Sequence, residues 1–282
     1  MSDIKNILTK LKLSFAFEED ENGVPYSLGF GFTSKIYQGE FNNKKVIFKL
    51  STLQNSKLKT ITNNYLHKNI IKQLTTNDLC PNVFFIDKKN KLLIYEYIED
   101  TKTLSEITFP VETIEDKYLR QLGEGIKKIH SVKPPKKFIT FENQLNIYQE
   151  LLSGFKWPEE NHLEQAINLF KTITKDEDNG EFVFSHNDLN ILNILQTQNK
   201  TYFIDWEFAS INSKYFDLVS VIHHYKLHEL DINNLLIYYG LDINDMKIYK
   251  KIKEWKKINY HLIFVWAAIR YKYLLIDEEG NS

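Results

Sequence analysis

Two short segments constrain this chain more than anything else in it. Residues 185–193 read Ser-His-Asn-Asp-Leu-Asn-Ile-Leu-Asn, and residues 203–207 read Phe-Ile-Asp-Trp-Glu. Apolar runs frame both. Phe182-Val183-Phe184 leads in and Ile191 to Leu195 follows. A turn at Gln198-Asn199-Lys200 then opens Thr201-Tyr202-Phe203-Ile204, which runs up to Asp205. Short β-branched and aromatic runs bounded by turn residues read as strands. The pattern is strand, polar loop, strand, turn, strand. Asp188 precedes Asn193 by five residues in the loop, and Asp205 closes the last strand.

Phosphoryl transfer from ATP needs three groups of this kind. One carboxylate accepts the proton of the attacking hydroxyl. An amide oxygen and a further carboxylate hold the magnesium ions at the phosphates. His-x-Asp-x4-Asn followed by an apolar strand ending in Asp is the catalytic-loop and metal-loop arrangement of kinases, with some letters changed. ATP and Mg2+ are therefore the expected cofactors.

The rest of the chain supports a two-lobed reading. Its 282 residues suffice for two lobes, and 43% hydrophobic content supplies a core. The formal net charge of −1 gives no global field toward nucleic acid or an anionic membrane. Arginine occurs only at Arg120 and Arg270, and the single cysteine, Cys80, excludes an intramolecular disulfide. The N-terminus has no sustained apolar core, and the longest apolar run, Leu262 to Ile269, is too short to span a bilayer. A soluble cytoplasmic protein is expected, with no nucleic-acid or membrane partner.

Residues 3–13 read as a short amphipathic helix. Strands are expected around 28–37, with a glycine-containing turn, at 45–50, 83–86 and 92–97. Asn42-Asn43 reads as a hairpin turn. A helix is expected at 66–74. Composition shifts near Glu99-Asp100, after which helices are expected at 114–131, 142–154, 160–174, 217–229 and 246–275. The expected fold class is α+β, a bilobal protein-kinase-like fold. A β-rich N-terminal nucleotide-binding lobe spans 1–98, and a larger helical lobe for catalysis and acceptor binding spans 99–282.

Gly29 and Gly31 offer flexible backbone near the phosphates, and Lys49, on a strand, offers a cation that reaches them. Alternation along 45–50 puts Val46, Phe48 and Leu50 on one face, Ile47 and Lys49 on the other. The backbone from Glu96 to Ile98 is placed to bond the adenine edge. Protein kinases tether the lysine with a glutamate on the next helix, yet Thr62 to Asn69 carries no acidic residue. Phe216-Asp217-Leu218 begins a helix twelve residues after Asp205, which leaves no room for a long activation segment. The acceptor is therefore expected to be a small alcohol and not a peptide.

These segments resemble the choline/ethanolamine kinase family. The resemblance rests on His186-Asn187-Asp188-x4-Asn193-Ile194-Leu195 and Ile204-Asp205-Trp206-Glu207-Phe208-Ala209, within a wider group that includes aminoglycoside phosphotransferases and thiamine kinase. It implies Asp188 as catalytic base, Asn193 and Asp205 as magnesium ligands with Glu207 assisting, and Lys49 as phosphate contact. It gives Asp217 the task of stabilising the catalytic loop, or of capping its own helix. It also implies a choline or ethanolamine acceptor held by aromatics on the last helix, where Trp266 and Tyr273 share a face beside the core stripe Trp255, Ile258, Leu262, Val265 and Ile269. His224 stands where animal choline kinases carry a substrate-binding glutamate, so another amino alcohol, thiamine or an aminoglycoside-like alcohol stays open. A catalytically degenerate binding protein is the alternative of another class, against which all three catalytic groups are present.

Overall fold

The computed structural model describes residues 3–30, 34–52, 68–89, 91–103, 114–157, 161–175 and 181–279. The chain divides into two compact units, one of residues 1–59 and 80–101, the other of residues 60–79 and 102–282. The fold is α+β and protein-kinase-like, with a β-sheet unit and a larger helical one.

The first unit holds α1 (Asp3–Lys10), β1 (Phe15–Phe17), β2 (Ser27–Phe30), β3 (Ser34–Phe41), β4 (Lys44–Ser51), β5 (Val83–Asp87) and β6 (Leu92–Glu96). The strands form one antiparallel sheet in the order β1-β3-β4-β6-β5, with β2 also on β3. Asn42 and Asn43 both have positive φ, 50° and 60°. A two-residue hairpin turn needs two left-handed residues, and asparagine accepts that conformation better than most. The alternation expected along β4 is present. Val46, Phe48 and Leu50 join Ile4 and Leu8 of α1 in one core cluster, which leaves Ile47 and Lys49 to the other face.

The second unit carries α2 (Lys68–Thr76), α3 (Asp116–His130), α4 (Phe141–Leu152), α5 (Asn161–Thr174), α6 (Lys214–His224), α7 (Glu229–Tyr239) and α8 (Met246–Glu279). Two small antiparallel sheets complete it. One pairs β7 (Lys102–Thr103), β9 (Ile194–Gln196) and β10 (Thr201–Phe203). The other pairs β8 (Phe182–Ser185) with β11 (Ser210–Ser213). Trp255, Ile258, Leu262, Val265 and Ile269 of α8 are all buried. Phe141, Phe170 and Phe216 ring Trp255 with centroids 6.0–6.4 Å away. Gly125 is required by close approach, since a Cβ there would lie 2.8 Å from the Phe203 ring. That contact seats β10 against α3.

One of the expected helices changes. The helix expected at 217–229 ends at His224, and Lys226 has a φ of 49° that interrupts it. A separate helix, α7, follows and closes at Gly240 with φ 99°, the usual left-handed stop. The helix expected at 66–74 is described from Lys68 onward, and Asn63, Asn64 and the rest of 53–67 lie outside the described residues.

Candidate active site

The site is built on the loop between β8 and β9. β11 lies on β8, with Ser210 opposite Ser185, and β10 lies on β9, with Phe203 opposite Ile194. These ladders fix both ends of residues 186–193. The Ile204 N–H donates to the Asn193 carbonyl at 2.9 Å, which brings Asn193 beside the strand end that carries Asp205. Asp205 takes a left-handed backbone, φ 66° and ψ 54°, and Asn187 has φ 64°. Aspartate and asparagine reach this region at modest cost, and such residues gather at functional sites.

The loop has no ladder of its own, so side chains supply its bonds. Asp217, fully buried in α6, accepts from the His186 N–H and the Asn187 N–H, each at 2.8 Å, and lies 3.1 Å from His130 Nε2. His130 Nδ1 lies in turn 2.8 Å from the Tyr239 hydroxyl. Burial alone would raise the Asp217 pKa. The hydrogen bond and charge of His130, with the backbone N–H of His186, outweigh it and hold the carboxyl below its ordinary value. Ser213 stands at the helix N-cap. Asp217 therefore serves the loop, and the capping role is corrected.

Asn187 and His186 are fixed by partners that admit one orientation each. The Asn187 amide donates to Phe208 O and Ser210 Oγ and accepts from Asn212 Nδ2. His186 Nε2 faces the Ile204 carbonyl, which only accepts, and Nδ1 faces the Asp188 N–H, which only donates. The ring is thus the neutral Nε2–H tautomer. Gln144 of α4 also donates to Phe208 O, at 2.9 Å.

Asp188 is half-buried at the centre. Its Oδ1 accepts from Asn190 Nδ2 at 3.0 Å and its Oδ2 from Asn193 Nδ2 at 2.8 Å. Burial, then the negative charge of Asp205 and Glu207, push its pKa up to about 8, against the lowering bonds from Asn190 and Asn193. The charges of Asp205 and Glu207 both bear on the Asp188 carboxylate, and negative charge gathered in this way favours a cation. Asn193 gives both amide protons to Asp188, to its carbonyl and its carboxylate, so Oδ1 is the atom left to offer a cation. Among the described residues no three His, Cys, Asp or Glu side chains form a metal cage. That donor set suits Mg2+, which takes one or two carboxylates and completes its shell with phosphate and water.

Trp266 is half-buried, beside and not within the core stripe. Its ring meets Phe208 at 4.7 Å and Tyr148 at 5.3 Å, both edge-on. Tyr148 is buried, and its phenol is pushed up by burial and by the charge of Asp188, against a hydrogen bond from Trp266. The charge of Asp188 thus reaches the Tyr148 phenol, whose ring the Trp266 ring meets. The Tyr273 side chain lies outside the described residues, as does Gly31.

In the sheet unit, Lys49 is 6% exposed and pairs with Ile36 and Leu93 in register. Gly29 pairs with Ile36 across a bulge in β2. The Glu96 N–H is spent on Asn82 O at 2.8 Å, and the Tyr97 N–H on Lys45 O at 3.2 Å. The Glu96 carboxylate holds Asn82 Nδ2 at 2.7 Å.

His130, Gln144 and Tyr148 carry no expectation from sequence, and Phe208 enters there only within the 204–209 segment. One signal was available. Gln144 interrupts the apolar stripe Phe141, Leu145, Tyr148 and Leu151 on α4, and a polar residue on a buried stripe needs a partner.

The model of the choline/ethanolamine kinase family matches residues 28–261. A protein LicA homolog of Metamycoplasma hominis is 30% identical over 218 residues, 75% of this chain and 77% of that one. Protein LicA of Haemophilus influenzae is 26% identical over 145 residues, about half of either chain. The choline kinase LicA of Streptococcus pneumoniae superposes with a TM-score of 0.71 at 18% identity, covering 96% of this chain and 90% of that one. The choline kinase of Cryptosporidium parvum does so at 0.63 and 15%, covering 98% and 95%. Fold, matched segments and family model agree, and this chain belongs to the choline/ethanolamine kinase family.

Proposed function

We propose that this protein is an ATP-dependent kinase that phosphorylates the hydroxyl of a small alcohol, with choline or ethanolamine as the acceptor. The observation that carries the reading is the Asp188 carboxylate, held at both oxygens by Asn190 and Asn193 and facing the charge of Asp205 and Glu207. In this reading Asp188 takes the hydroxyl proton of the acceptor. The freed oxygen attacks the γ-phosphorus, and the bond to the ADP oxygen breaks as ADP leaves. Asn193 through Oδ1, Asp205 and Glu207 hold magnesium, which supplies positive charge to the phosphate oxygens. Lys49 and the Gly29–Gly31 backbone contact the phosphates.

The Ile98 end of the Glu96–Ile98 segment bonds the adenine edge, because the Glu96 and Tyr97 N–H groups are already spent within the sheet unit. Trp266, with Tyr273 on the same helix, holds the acceptor. A cationic head group is attracted by an aromatic face, and Trp266 with Phe208 and Tyr148 provides an aromatic cluster that could supply one. His224 supplies no carboxylate there. Burial, then the charge of His223, lowers its pKa, so it is neutral at pH 7.

The test is ADP release with choline, ethanolamine, thiamine and an aminoglycoside as acceptors. Turnover fastest with choline or ethanolamine supports the reading, and turnover with thiamine or the aminoglycoside alone replaces the acceptor. No turnover with any, alongside intact Mg·ATP binding, favours a binding protein. Asp188→Asn should lower turnover by about a hundredfold or more, the scale of general-base loss. Near wild-type turnover removes Asp188 from the role.

A further inference from the structure

We infer that Asn190 is a positioning residue for phosphoryl transfer, fixing the plane of the Asp188 carboxylate. The inference rests on the reading of Asp188 as the base. A carboxylate held at one oxygen can still turn about its Cβ–Cγ bond. Asp188 is held at both, by Asn193 Nδ2 on Oδ2 at 2.8 Å and by Asn190 Nδ2 on Oδ1 at 3.0 Å. One donor on each oxygen stops that rotation and still leaves each oxygen a lone pair for the acceptor hydroxyl.

The Asn190 amide has one possible orientation. Its Oδ1 accepts the Leu192 N–H at 2.9 Å. A flipped amide would set its oxygen against the carboxylate and its NH2 against an N–H, two repulsive contacts in place of two bonds. The Asn190 backbone carbonyl also accepts the Asn193 N–H at 3.1 Å. Asn190 thus shapes the turn with its oxygens and clamps the base with its nitrogen. Asn193 is committed to both the base and the metal reading, whereas the Asn190 side-chain nitrogen bonds the base and Asn190 has no part in the metal reading. It exchanges no proton, and its effect acts through the orientation of Asp188.

The two tasks separate by substitution. Asn190→Ala removes both side-chain bonds, to the Asp188 carboxylate and from the Leu192 N–H, and keeps the backbone bond to Asn193. Asn190→Asp keeps the acceptor for the Leu192 N–H, and so the turn, but loses the donor to Asp188. Steady-state kinetics would use whichever of the four alcohols above turns over, with Mg·ATP affinity by calorimetry. Both variants should lower kcat by about tenfold to a hundredfold, the cost of a misplaced catalytic group, with KM for ATP and Mg·ATP affinity near wild type. Asn190→Ala made in the Asp188→Asn background should lower kcat no further. Wild-type kcat in Asn190→Asp with loss in Asn190→Ala would reduce the residue to a turn former and overturn the inference. So would an undiminished effect in the Asp188→Asn background. An active Asp188→Asn enzyme instead overturns the base reading itself, and this inference with it.

Discussion

Lys49 and Asp188 are held in position by different means. Lys49 sits in a strand paired on both sides, to Ile36 in β3 and Leu93 in β6, so the ladder of the sheet carries its backbone whatever its side chain does. Asp188 sits in a loop held by Asp217 through two N–H groups, by Asn187 and Ser210, and by Asn190 and Asn193. The sheet unit stores its geometry in backbone pairing, which depends little on one side chain. The loop stores it in a buried polar network, where losing one member strands its partners. Chemistry and stability should therefore separate at Lys49 and travel together in the loop support.

The largest effect is expected at Asp217. Asp217→Asn leaves buried N–H groups of His186 and Asn187 poorly matched, and should cost about 3 kcal/mol, or about 6–12 °C in Tm for a chain of this size. Turnover should fall with it. The carboxyl is held below its ordinary 3.8 in the folded chain, so its contribution is present above that value. It is lost as pH falls through the lowered one. The gap in Tm between wild type and variant should be full at pH 7 and close only in acid, which thermal scans from pH 7 to pH 3 would reveal. A gap that instead widens in acid would mean the pKa is raised, and the loop support would need another owner.

Lys49→Met is the matching test in the sheet. KM for ATP should rise about tenfold, the loss of roughly 1.4 kcal/mol of phosphate attraction, with Tm moved by no more than about 2–4 °C. A large fall in Tm would erase the contrast between the two regions, and an unchanged KM would remove Lys49 from the nucleotide.

Trp266→Leu should have the smallest effect. The substitution keeps apolar volume but removes the ring from Phe208 and Tyr148. For a cationic acceptor KM should rise by the equivalent of about 0.5–1 kcal/mol, with KM for ATP little changed. Lower Tm with an unaltered acceptor KM would mark Trp266 as packing alone.

Much of this was legible in the residues themselves. The strand–loop–strand spacing around Asp188, Asn193 and Asp205 depends on sequence neighbours, and so does the Asn42-Asn43 turn, because both are set by local backbone preference. The β4 alternation and the α8 stripe from Trp255 to Ile269 follow from the period of each element, which one buried face makes visible. The break between α6 and α7 was not legible, since Lys226 carries no mark of its positive φ, whereas the glycine at 240 does mark the stop of α7.

What only the tertiary structure decided are the partners brought together across long sequence separations. Asp217 reads from sequence as a helix cap as readily as a loop anchor, and its choice rests on His186, Asn187 and His130, from 30 to 87 residues away. Tyr148 and Phe208 reach Trp266 from separate elements in the same way. Periodicity says which side of a helix is buried but not against what, because that depends on the packing of the whole unit. The chemistry of the loop was therefore written locally, whereas the network that holds it rigid exists only once the chain has folded.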